Sequence, residues 1–104
     1  MSRIDDLVRI AQKSKKPLPW YGLAMEYRSA GRIDEALATF EQVQVLDPGY
    51  VAAYFMCAQM LAERAAPGDH ARALTLLDNG IAAARRTGDD HAVHEMEGLK
   101  ETLA

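Results

Sequence analysis

The 104 residues carry 12 Lys and Arg against 15 Asp and Glu, a formal charge of −3 that is too small to steer the chain toward nucleic acid or an anionic membrane. With 49% apolar and 26% charged residues, the composition is that of one globular domain, residues 1–104, with a modest core. The single cysteine, Cys57, excludes an intrachain disulfide and fits a reducing compartment; no apolar run is long enough to span a bilayer, and Asp5-Asp6 stands where a signal peptide would turn apolar, so a cytoplasmic protein is expected.

Ile4, Leu7, Val8 and Ala11 recur at helical spacing and predict a first helix. Ser2 is its expected cap, Asp5 and Asp6 suit its positive end, and Lys13, Lys15 and Lys16 suit the other. Pro17 and Pro19 stop that helix and open a second, about Pro19 to Ala30, which Gly31 ends. Asp34 is the expected cap of a third helix, about Glu35 to Leu46, closed by Pro48-Gly49. A fourth follows from about Val51 to Arg64, broken by Ala65-Ala66-Pro67-Gly68. Asp69 is the expected cap of a long fifth helix to about Arg86, and Asp89 or Asp90 that of a sixth, striped by Ala92, Val93, Met96, Leu99 and Leu103. Asn79-Gly80 would suit a hairpin turn, but both flanks are helical, so the glycine reads as helix interior at a cost of ~1 kcal/mol. No segment reads as a convincing strand.

One period organises these helices. Counting 34 positions from Pro17 to Tyr50, Trp20 falls at position 4, Leu23 at 7, Ala24 at 8, Tyr27 at 11, Ala36 at 20, Phe40 at 24, Val43 at 27 and Pro48 at 32. Small residues at 8 and 20 let two helices approach, and large ones around them fill the remaining space. This stretch resembles the tetratricopeptide repeat. A second copy starts at Val51, with Tyr54, Cys57, Ala58 and Leu61 at positions 4, 7, 8 and 11. Its connection reads as three residues longer, and after that shift Leu77 takes position 24 and Gly80 the small position 27. The resemblance implies an all-α, right-handed helical-repeat array: an N-terminal helix (1–16), repeat one (17–50), repeat two (51–87) and a capping helix (88–104).

In that register Trp20, Tyr27, Phe40, Tyr54 and Cys57 are expected in the core rather than in a ligand or nucleophile site. His91 and His94 share part of a helix surface with Asp90 and Glu95, but no cysteine and no third histidine joins them in register, so no metal and no cofactor is expected. Arg3, Arg9, Lys13, Lys15 and Lys16 lack glycine or aromatic interleaving and read as a solvated helix end, not a nucleic-acid or lipid patch. There is no phosphate loop, nucleophile elbow or acid–base carboxylate pair, so no enzyme is expected.

The resemblance implies a concave groove lined by positions 2, 5, 9, 12 and 13 of each first helix. These are Leu18, Tyr21, Met25, Arg28 and Ser29 in repeat one, and Ala52, Phe55, Gln59, Ala62 and Glu63 in repeat two. Chaperone-binding members of the family use Lys and Asn at positions 5 and 9 to hold a carboxylate; Tyr21, Met25, Phe55 and Gln59 do not supply that chemistry. The expected function is a non-enzymatic interaction module that takes a peptide or protein segment in this groove. The alternative is a self-associating scaffold, a homodimer whose groove is filled by its own chain or by a second copy.

Overall fold

The computed structural model describes residues 2–103. Among them the secondary structure is all helix: α1 (Arg3–Lys13), α2 (Pro17–Ser29), α3 (Ile33–Leu46), α4 (Val51–Arg64), α5 (Asp69–Thr87) and α6 (Asp90–Leu103). The chain divides into two compact units, Met1–Pro48 and Gly49–Ala104. No helix among the described residues is long and apolar enough to cross a membrane.

In the first unit α2 packs against α1 on one side and α3 on the other. The α1 start is a capping box: Ser2 Oγ accepts from the Asp5 N–H, and the Asp5 carboxylate accepts from the Ser2 N–H. Helix α2 begins two residues earlier than expected, at Pro17. Its prolines fall in the first turn, where a missing N–H leaves no helical bond unmade. Gly31, at φ +75°, supplies the left-handed residue that lets the chain leave α2. Asp34 is not the cap of α3. It is the second helical residue, behind Arg32, whose side chain turns forward to fork onto Glu35 at 2.7 and 2.5 Å. The acidic pair at 34 and 35 thus acts through the helix dipole.

The core of this unit follows the repeat register: Leu23, Ala24, Ala36, Phe40 and Val43 are buried, joined by Ala11 and Leu37. Trp20 and Tyr27 depart from it, being half-buried. The Trp20 Nε1–H donates to the Ser14 carbonyl at 3.3 Å, and the Tyr27 ring lies 4.9 Å beneath the Arg32 guanidinium. Each ring is amphipathic in use, with one edge or face turned to a polar partner.

In the second unit α5 packs against α4 and α6, and α6 also touches α4. Tyr54, Cys57, Ala58, Leu61, Ala73, Leu77 and Ala84 are buried, and Met96 of α6 is fully buried among them. Gly80 is the point of closest approach. A Cβ built there would lie 2.7 Å from both Met96 Sδ and Tyr54 Cβ, so the small residue at this helix-interior position is required by packing.

The α4–α5 connection, residues 65–68, exceeds the α2–α3 connection, residues 30–32, by one residue rather than the expected three. The other two residues of the shift lengthen α4 by one and advance the start of α5 by one relative to its small residue Ala73. Asp69 is the first residue of α5, with Gly68 as N-cap, not itself the cap. Its carboxylate points back instead. It accepts from Arg64 Nε at 2.7 Å, Arg64 Nη2 at 3.0 Å and the Ala66 N–H at 3.0 Å. At α6 it is Asp89 that caps, its Oδ1 accepting from the Ala92 N–H at 3.1 Å.

Candidate functional site

Each first helix of the two repeats buries one stripe and leaves another open. On α2, Leu23 and Ala24 face inward, while Leu18, Tyr21, Met25 and Arg28 follow one another at helical spacing on the adjoining stripe. Leu18 is 66% exposed and Ser29 is exposed; Met25 and Arg28 are half-buried. Tyr21 is also half-buried, because its ring meets Phe40 of α3 edge-on, with centroids 5.8 Å apart and planes at 63°. Arg3 pairs with Glu26 on the same helix at 2.8 Å and fastens α1 beside it.

On α4 the corresponding stripe opens into a cleft against α6. Val51, Ala52 and Phe55 form one wall, and Asp89, His91, Ala92 and Glu95 the other, around a volume of about 190 Å³. The α4 wall is apolar with a half-buried aromatic ring; the α6 wall is acidic at its rim. His91 Nε2 lies 3.0 Å from Glu95 Oε1, one helical turn along. Of the residues expected in repeat two, Ala52 and Phe55 line this cleft. Gln59 and Ala62, both half-buried, and exposed Glu63 continue along α4 outside its lining.

The α6 wall is the part that sequence reasoning missed. His91, Ala92 and Glu95 carried a signal, since their i, i+1, i+4 spacing shares one helix surface, but only the packing of α6 beside α4 brings them to Phe55.

A second cleft, of about 350 Å³, lies between α5 and α6 over Ile81 and Ala82. Four of its five charged lining residues pair with one another, Lys100 with Asp78 at 2.7 Å and Arg85 with Glu97 at 3.7 Å; Glu101 is the fifth. Cys57 is fully buried, and among the described residues no group of three or more His, Cys, Asp or Glu side chains is placed to hold a metal ion.

A family model described as tetratricopeptide repeat matches residues 17–60. The fold is similar to the solution structure of a tetratricopeptide repeat domain protein from Salinibacter ruber, at 26% identity and a TM-score of 0.76, over 85% of this chain and 86% of that one. A crystal structure of a tetratricopeptide repeat domain protein from the same organism is similar at 26% identity and a TM-score of 0.75, covering 85% and 96%. The solution structure of a protein from Bordetella parapertussis is similar at 26% identity and a TM-score of 0.78, over 99% of this chain and 88% of that one. No curated protein matches the chain.

Proposed function

We propose that this chain, whose residues 17–60 match a tetratricopeptide-repeat model and whose fold resembles tetratricopeptide repeat domain proteins, is a non-enzymatic interaction module that binds a peptide or protein segment, with the first helix of each repeat offering a binding surface. The observation that carries this reading is the open stripe beside each buried one: exposed Leu18 with Met25 and Arg28 on α2, and Ala52 with Phe55 on α4. An aromatic ring, a methionine and an arginine are residue types enriched at protein interfaces. The array is proposed to run as helix 1–16, repeats 17–50 and 51–87, and cap 88–104. A reducing, cytoplasmic setting suits a chain whose one cysteine, Cys57, is buried.

Self-association is the second reading, favoured by the exposure of Ile10, Leu18 and Val45 in the first unit. Affinity capture from the source cell, followed by titration of the purified partner, tests the first. Leu18→Ser with Arg28→Glu, and separately Phe55→Ala, should each weaken that partner about tenfold or more while circular dichroism is unchanged. Equal affinity for all variants refutes the assignment, and a partner that proves to be the chain itself transfers it to the second reading.

A further inference from the structure

The α4–α6 cleft pairs two features that together define a ligand chemistry. Its floor offers the half-buried ring of Phe55 beside Val51 and Ala52. Its rim offers the carboxylates of Asp89 and Glu95, and no lysine or arginine lines it. The bias extends along the helix: from its cap to its end, α6 carries Asp89, Asp90, Glu95, Glu97 and Glu101 against Lys100 alone. An apolar aromatic floor under a negative rim disfavours an anion and suits a cation with a flat or apolar body.

We propose that this cleft receives an arginine side chain of the partner polypeptide, its guanidinium over Phe55 and paired with Glu95 and Asp89. The inference rests on the reading of α4 as a partner-binding helix and adds the chemistry that α4 and α6 together select. Arginine fits better than other cations, because its planar group stacks on a ring and forks onto a carboxylate in one placement. The first unit shows the same chemistry within the chain: Arg32 lies 4.9 Å over Tyr27 and forks onto Glu35. His91, now 3.0 Å from Glu95, is the group that an incoming guanidinium displaces from that carboxylate.

The test uses the full chain and two small probes, N-acetyl-arginine amide and its neutral isostere N-acetyl-citrulline amide, followed by NMR on the Ala52 and Ala92 methyls and the Phe55 ring. Arginine amide should shift these signals saturably, and citrulline amide should bind about fivefold more weakly or worse. Glu95→Gln, at an exposed position, should weaken arginine amide about threefold and leave citrulline amide unchanged. Phe55→Leu, which keeps an apolar floor, should weaken arginine amide by a similar factor. Equal binding of the two probes, unmoved signals, or a Glu95→Gln chain that binds arginine amide like the parent would each overturn the proposal. So would concentration-dependent shifts of the same methyls without any probe, which would assign the cleft to a second copy. The two readings fail separately. A partner that depends on Phe55 with no response to arginine amide removes only the cation, and a response to arginine amide with no partner removes only the module.

Discussion

Arg64 at the end of α4 and Asp69 at the start of α5 clasp each other across residues 65–68, two guanidinium nitrogens on two carboxylate oxygens at 2.7 and 3.0 Å. Asp69 also accepts the Ala66 N–H, so one carboxylate holds both the helix end and the connecting backbone. This clasp sets the geometry of the longer connection, in which Ala65 takes a left-handed φ of +51° with no glycine to ease it.

The Arg64 guanidinium, with the Ala66 N–H, holds the Asp69 carboxyl below its ordinary range against the opposing effect of burial. A carboxyl depressed in the folded state stabilises above its unfolded pKa, about 3.9, and loses that contribution as pH falls through its lower folded value. The stability difference between the parent and Asp69→Asn, from urea titrations, should therefore be constant from neutral pH to about pH 5 and shrink in more acid solution. A difference that grows on acidification would contradict the clasp. Limited proteolysis should also cut Arg64→Ala sooner within residues 65–68.

Gly80 and Gly98 are both helical glycines, with opposite expected responses to alanine. At Gly80 a methyl meets Met96 Sδ and Tyr54 Cβ at 2.7 Å, and overpacking costs roughly 1–3 kcal/mol, against a helix-propensity gain of about 1 kcal/mol. At Gly98 nothing lies within 4 Å, so only the gain remains. Thermal melts should place Gly80→Ala below the parent and Gly98→Ala above it.

Phe40 is fully buried and supports Tyr21, so Phe40→Ala should cost roughly 3–5 kcal/mol, enough to unfold much of the first unit. Far-ultraviolet circular dichroism in urea reads this. Tyr21→Ala should cost less but more than zero, because the edge-on pair contributes about 0.5–1.5 kcal/mol beyond the area it buries. For that reason Leu18 and Arg28, rather than Tyr21, are the cleaner probes of binding.

Cys57 has no exposed surface, so a thiol reagent should reach it only when the second unit opens. Its reaction should be on the order of 10³-fold slower in buffer than in denaturant, the scale of the opening equilibrium of a small stable domain. Comparable rates in both would mean that the α4 core is open.

The repeat register made the core legible because core positions answer to residue size at fixed spacing. Ala24, Ala36, Phe40, Val43, Cys57 and Leu77 are all buried where that spacing put them, and Gly80 takes a packing role instead of a turn. The register failed where a side chain has two natures. Trp20 and Tyr27 are large enough for the core, yet each keeps a polar edge or a cation at its outer side. Acidic residues misled for a related reason: Asp34, Asp69 and Asp89 look alike as caps, but Asp34 lies inside its helix and Asp69 answers an arginine on the preceding one, while Asp89 bonds forward as a cap. The α6 wall of the cleft was hidden because His91 and Glu95 gain meaning only beside Phe55, which lies far from them in sequence.

The close approach at Gly80 also constrains how this sequence can drift. One obstacle there is Met96 Sδ, which a different residue at 96 would remove. The other is Tyr54 Cβ, an atom that every residue except glycine possesses. No ordinary replacement at 54 makes room at 80, so the glycine is tied to the backbone crossing of α4 and α5 rather than to its neighbour's identity. Descendants of this chain can exchange the tyrosine or the methionine, but a side chain at residue 80 obliges the two helices to move apart.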